Sequence, residues 1–173
     1  MMWAHQPLSP PPHTRPTTDI AKEGLFNIIQ SHRDLEGLKT LDLFGGTGSI
    51  SFELASRGAS DLTIVEKDSQ MLAFIRKTAE TLGLSQLKII PSDVFRFLKN
   101  AREQYDFIFA GPPYALETID QIPEFIVSGN LLRINGWFVL EHTPRNRYSG
   151  YPLFVTERNY GTTLFSIFIN KAG

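Results

Sequence analysis

Residues 40–51, TLDLFGGTGSIS, constrain the fold more than any other stretch of the chain. Leu41 and Leu43, with Phe44 behind them, read as a core strand over 40–44. Gly45, Gly46, Thr47 and Gly48 follow as a turn. Ser49 opens a helix to about Ser56, and Gly58 sits where a C-terminal cap belongs. An apolar strand, a glycine turn and a helix start bring backbone N–H groups close to a bound ligand. Glycine serves there because a side chain would block the approach and because tight turns often need φ > 0. An ordinary strand-to-helix turn has the same look, so the rest of the chain has to decide.

Read in order, residues 1–14 are proline-rich (Pro7, Pro10, Pro11, Pro12) and hold too few core residues to fold. They are expected to be an extended or disordered lead. Residues 15–173 are expected to form a single domain. Thr18 or Asp19 can cap a helix to about Gln30, with Ile20, Leu25, Ile28 and Ile29 on its apolar side and Gly24 weakening it. Strands are expected over 62–65, ending at Glu66, over 87–90, and over 105–110. The last of these, YDFIFA, is continuous enough to be buried on both faces. Helices are expected over 69–82, with Gly83 as the stop, in a short run from Asp93 through Leu98, and around 119–127. A fifth strand follows Gly136 over 137–141. Residues 154–158 and 163–169 read as a closing hairpin around Tyr160 and Gly161.

Strands alternating with helices imply an α/β fold with a parallel sheet covered on both faces. Such sheets bind ligands at the carboxyl ends of their strands, where strand order reverses. Four groups fall at strand ends: the glycines, Glu66, Asp93, and Gly111 with Pro112, Pro113 and Tyr114. Glu66 stands about twenty residues beyond the glycines, where a carboxylate accepts hydrogen bonds from ribose hydroxyls; with Lys67 and Asp68 beside it, a solvated charge is the alternative. Asp93 can accept from an adenine amino group or cap the helix that follows, and both roles can hold. Asp42 lies within the first strand, where a buried carboxylate needs partners. These features describe a nucleoside-containing cofactor without separating NAD from S-adenosylmethionine. Gly46-x-Gly48-x-x-Ser51 lacks the third glycine of the dinucleotide fingerprint.

Composition excludes more than it assigns. A net charge of −1 over 173 residues does not announce a nucleic-acid binder. The absence of cysteine excludes disulfides and thiolate metal sites. His5, His13, His32 and His142 have no metal-ligand spacing. No apolar run approaches the ~20 residues of a membrane helix. A soluble, cytoplasmic monomer without a metal is expected.

Four stretches make the sequence resemble the RsmD-like family of bacterial small-subunit ribosomal RNA methyltransferases, which methylate the exocyclic N2 of a guanine. They are Arg15-Pro16-Thr17-Thr18-Asp19 followed by Leu25-Phe26-Asn27; residues 41–49; Val65-Glu66-Lys67-Asp68; and residues 107–114 through Gly111-Pro112-Pro113-Tyr114. The resemblance covers about residue 15 to the end, and its first match narrows the choice to this family. It implies a Rossmann-like class I S-adenosylmethionine-dependent fold, a seven-stranded, mostly parallel sheet with a C-terminal antiparallel hairpin. It also implies that Asp42, Phe44, Gly45, Gly46, Thr47, Gly48 and Ser49 surround the methionine part of S-adenosylmethionine. Glu66, with Lys67 beside it, would hold the ribose, and Asp93 with Val94 the adenine. Pro112 and Pro113 would present backbone carbonyl oxygen to the target amine, and Tyr114 would stack on an unpaired or flipped base. The implied partner is small-subunit ribosomal RNA or an assembling small subunit, with Arg15, Thr17, Arg145 and Arg147 as candidate RNA contacts; Lys22 and Arg158 are further basic candidates.

Two departures from the family pattern stand out. The family has Asp at the position of Gly111, and glycine offers no side-chain acceptor. Asp106 stands too far back along the strand to substitute, while Glu141, ending the neighbouring fifth strand, is the better stand-in. Gly111 is expected to lower the rate without abolishing the site. Residues 1–14 also lack the basic stretch with which family members usually begin, which is expected to reduce RNA affinity. Two alternatives compete: a catalytically impaired cofactor-binding relative acting on RNA or ribosome assembly, and a nicotinamide-dependent oxidoreductase, which Pro112-Pro113-Tyr114 and the short chain disfavour.

Overall fold

A computed structural model describes residues 18–172. Arg15, Thr17 and the proline-rich lead lie outside the described residues. Among the described residues five α-helices and seven strands follow one another as α1 (Asp19–His32), β1 (Lys39–Leu43), α2 (Ser49–Ser56), β2 (Asp61–Glu66), α3 (Ser69–Leu82), β3 (Leu87–Pro91), α4 (Val94–Asn100), β4 (Tyr105–Ala110), α5 (Gln121–Ser128), β5 (Leu132–His142), β6 (Phe154–Tyr160) and β7 (Thr163–Ile169). The strands form one sheet in the order β3-β2-β1-β4-β5-β7-β6. β1 to β5 are mutually parallel, and β7 runs antiparallel between β5 and β6. The order reverses between β1 and β4, so the crevice outside their carboxyl ends is the expected ligand position.

The near-continuous apolar strands are explained by cover on both faces. In β4, Phe107 and Phe109 pack with α1 and α2 residues such as Leu25, Phe26 and Leu54. Ile108 and Ala110 face the opposite way, onto Val94, Leu98, Ile122 and Ile126 of α4 and α5. β5 splits likewise, Trp137 and Val139 to the first core, Phe138 and Leu140 to the second.

Local chemistry sets the boundaries. Thr18 caps α1, its Oγ1 accepting from the Ala21 N–H at 3.2 Å. Gly24, expected to weaken α1, is where the Tyr160 ring of β6 lies against the helix: a Cβ there would overlap that ring. Gly83 ends α3 in the left-handed region, at φ 67°. Three expectations need correction. Phe44 is not part of the first strand: β1 stops at Leu43 and Phe44 has φ 59°, starting the turn one residue early. The fifth strand begins at Leu132 rather than after Gly136. Its register with β4 breaks between Tyr105 and Phe107, and Gly136 sits in that irregularity, where a Cβ would come within 3.0 Å of the Tyr105 carbonyl oxygen. α5 begins at Gln121 rather than Ile119, because turns closed by Leu116 N–H to Pro113 O and Ile119 N–H to Leu116 O precede it.

Candidate active site

The register of the parallel strands brings the singled-out residues together. Leu43 of β1 pairs with Val65 of β2 on one side and Ala110 of β4 on the other. The residues just beyond these ends are therefore Phe44, Glu66 and Gly111. Ala110 pairs in turn with Leu140 of β5, so Gly111 and Glu141 also come side by side. Together they open onto a cavity of about 470 Å³.

The glycine loop forms one wall. Gly45 donates its N–H to the Val65 carbonyl oxygen at 3.0 Å, and a Cβ at this position would overlap Cγ1 of Ile64. Gly46 has φ 57° and donates to Glu66 Oε1 at 2.8 Å. Gly48 has φ 82° as the N-cap of α2, and a Cβ there would sit 2.8 Å from the Phe52 ring. Thr47 and Ser49 also line the cavity, whereas Gly48 does not. Gly48 shapes the loop and is not part of its wall.

Glu66 is not a solvated charge. Besides Gly46, its Oε2 accepts from the Lys67 N–H at 3.0 Å and the Asp68 N–H at 2.9 Å. The carboxylate thus ties the glycine loop to the start of α3, and it lines the cavity. Asp68 caps α3 through Met71 N–H at 2.9 Å. Asp93 caps α4 through Arg96 N–H at 3.1 Å and also lines the cavity beside Val94, so its two anticipated positions coincide.

Asp42 is buried beneath the loop and accepts from the buried Ser51 hydroxyl at 2.7 Å. Burial pushes its carboxyl from 3.8 up to about 7, opposed by the side-chain and backbone hydrogen bonds of Ser51 and assisted by the negative charge of Glu66. Its position on the cavity wall gives a cationic ligand a carboxylate that ionises near neutrality.

Gly111, Pro112, Pro113 and Tyr114 form the far wall with Glu141. Gly111 donates to the Leu43 carbonyl oxygen at 3.2 Å, fixing the loop to β1. The Tyr114 hydroxyl donates to Glu141 Oε2 at 2.6 Å and lies 3.3 Å from Thr163 Oγ1. Asp106 is at the other end of β4, held by the Lys39 N–H and Arg133. It takes no part in the cavity.

Several lining residues were not anticipated from the sequence: Ile50, Met71, Ser92, Phe95, Phe109 and Leu116. Met71 and Phe95 stand in the first turns of the helices that follow β2 and β3, as Ser49 does after β1. That shared position is the signal that could have found them. Phe95 and Phe44 meet edge-on at 6.4 Å, giving the cavity an aromatic side. Arg145 and Arg147 do not line it: both are exposed, and Arg147 is paired with Glu157 of β6. Lys22 lies 3.9 Å from the buried carboxylate of Glu53, so it serves the contact between α1 and α2. Among the described residues no cluster of His, Cys, Asp and Glu suits a metal ion, and no helix is long and apolar enough to cross a membrane.

A seven-stranded sheet of this order, with a closing antiparallel hairpin and a glycine loop at the switch point, defines the Rossmann-like class I methyltransferase fold. A solved Thermus thermophilus 16S rRNA guanine-N2 methyltransferase, RsmC, in complex with AdoMet and guanosine, shares that fold with a TM-score of 0.72 and 23% identity, over 92% of this chain and 45% of that one. The family model described as Conserved hypothetical protein 95 matches residues 2–169, and the chain belongs to that RsmD-like family. Among relatives, ribosomal RNA small subunit methyltransferase D of Haemophilus influenzae is 32% identical over 131 residues, 73% of this chain and 67% of the relative. The enzyme of the same name from Buchnera aphidicola is 30% identical over 127 residues, 73% of this chain. The chain spans 64% of that relative's length.

Proposed function

We propose that residues 15–173 are a single methyltransferase domain that moves the methyl group of S-adenosylmethionine to the exocyclic N2 of a guanine in small-subunit ribosomal RNA. The observation that carries the reading is the meeting, in one cavity, of the glycine loop with its Glu66 tie and the Pro112-Pro113-Tyr114 exit of β4. The names of the relatives supply the substrate class. The protein would act in the cytoplasm, where its RNA partner is.

The cavity residues fit the cofactor. Gly45, Gly46, Thr47 and Ser49 would hold its methionine part, and an ionised Asp42 on the same wall would favour its positive charge. Glu66 would accept from the ribose through the lone pairs that its bonds to Gly46, Lys67 and Asp68 leave. Asp93 and Val94 would take the adenine, with the Phe95 ring beside them on the cavity wall. When bound, S-adenosylmethionine supplies an electrophilic methyl group, so the protein's work is chiefly to position and orient. The guanine amine is a poor nucleophile because its lone pair is delocalised into the ring. Acceptors aimed at its N–H groups favour a pyramidal nitrogen, and the Pro112 and Pro113 carbonyl groups lie at the strand exit where that amine would arrive. Tyr114, half-buried on the cavity wall, offers its ring to the base. Arg15, Thr17, Arg145 and Arg147 remain the candidate RNA contacts; of these, the described Arg145 and Arg147 lie outside the cavity lining.

The impaired-relative reading rests on one observation, the missing side chain at Gly111. Incubating small subunits that lack the modification with labelled S-adenosylmethionine separates the two. Label in the RNA is expected. Saturable cofactor binding with no label in the RNA would refute the enzyme reading and leave a binding protein.

A further inference from the structure

Glu141 occupies the space that a longer side chain at Gly111 would reach. An ideal Cβ on Gly111 would lie 3.6 Å from Glu141 Oε1. The Ala110–Leu140 register makes the two residues lateral neighbours at the carboxyl ends of β4 and β5. Glu141 is 7% exposed, lines the cavity, and is oriented by the Tyr114 hydroxyl on Oε2, which turns Oε1 toward Gly111. A buried carboxylate is costly to keep unless it is held by such bonds.

We propose that Glu141 supplies the carboxylate acceptor for the target amine, delivered from β5 into the space left by Gly111. This rests on the methyltransferase reading above. The carboxylate accepts an N–H of the exocyclic amine and so frees the nitrogen lone pair. That pair forms the new N–C bond as the C–S bond of the sulfonium breaks and its electrons return to sulfur. The nitrogen then gives up a proton to the Glu141 carboxylate, which passes it to solvent. Tyr114 is a positioning residue for Glu141 as well as a platform for the base. Gly111 is then not a lesion. A second carboxylate would bring no gain, because an ideal Cβ at Gly111 lies 3.6 Å from Glu141 Oε1 and two like charges would crowd each other.

The test compares the full chain with Glu141→Gln, Gly111→Asp and the double variant. It uses single-turnover methyl transfer to small subunits lacking the modification, at saturating S-adenosylmethionine. Cofactor affinity and melting temperature are read in parallel. Glu141→Gln keeps the shape and the Tyr114 contact, and transfer is expected to fall roughly 100-fold with affinity and melting temperature unchanged. Gly111→Asp alone is expected to give no gain. The double variant, with one carboxylate restored to the pocket, is expected to recover at least roughly tenfold over Glu141→Gln, as a general acid–base group repositioned in reach would. Normal transfer by Glu141→Gln would overturn the proposal. So would a double variant as slow as Glu141→Gln, or a faster Gly111→Asp protein. If the unaltered chain methylates no RNA, the methyltransferase reading itself fails, and that outcome is visible before any variant is compared.

Discussion

Replacing Asp42 by asparagine removes a carboxylate that the fold buries at the carboxyl end of β1. Its rise from 3.8 to about 7 corresponds to about 4 kcal/mol between the two protonation states. The sign follows from which state holds the proton. Between about pH 4 and about pH 7 the unfolded chain has released it and the folded chain has not, so the folded state binds more protons and stability falls as pH rises. Above about pH 7 the loss is complete. Asparagine keeps an acceptor for the Ser51 hydroxyl, bonded at 2.7 Å in the parent, and carries no charge to desolvate. Urea unfolding of parent and Asp42→Asn, without ligand, is the assay. From about pH 5 to about pH 8 the stability difference should widen by about 2–3 kcal/mol in favour of asparagine. A difference that stays flat across this range would refute the claim that burial raises Asp42.

In the parent, S-adenosylmethionine affinity should weaken as pH falls below about 7, because a cationic ligand is best served by the ionised form of Asp42; Asp42→Asn should bind weakly at every pH, measured by calorimetric titration. Glu66→Gln leaves one acceptor oxygen where the carboxylate has two, so at least one of the Gly46, Lys67 and Asp68 N–H groups loses its partner, and cofactor affinity should fall by about 1.5–3 kcal/mol in the same titration. Gly45→Ala would drive a methyl group into Ile64 and should lose about 1–3 kcal/mol of stability in urea, with the cofactor site disturbed in step. Arg147→Ala breaks only an exposed pair with Glu157 and should shift stability by less than about 1 kcal/mol, so any larger loss in RNA binding by filter assay reports a direct contact.

Much of this was legible in the chain because the signals were local. Thr18 and Asp93 cap helices where short polar side chains precede apolar periodicity, and Asp68, read only as a charge beside Glu66, does the same for α3. Gly46 and Gly48 take positive φ where a strand must turn into a helix. Residues that depend on register were harder. Phe95 and Met71 carry no signal beyond their place in the first turn of the helix after a strand. The cavity sees them only because three parallel strands end level. Gly24 looked like a flaw in α1, since the Tyr160 ring that needs its bare backbone comes from β6, far along the chain. The early start of β5 was hidden because Asn135, at φ 67°, and Gly136 look like a stop, whereas bonds between Asn135, Gly136 and Asn170 carry the chain through. Glu141 could be placed near Gly111 by strand adjacency alone, but its bond to Tyr114 could not.

The most direct test of the central claim is the identity of the nucleoside made. Small subunits lacking the modification are treated with the protein and S-adenosylmethionine, and their RNA is digested and resolved by mass spectrometry against standards. The account predicts N2-methylguanosine, dependent on both protein and cofactor. A different methylated nucleoside, or none while the cofactor binds, would contradict it.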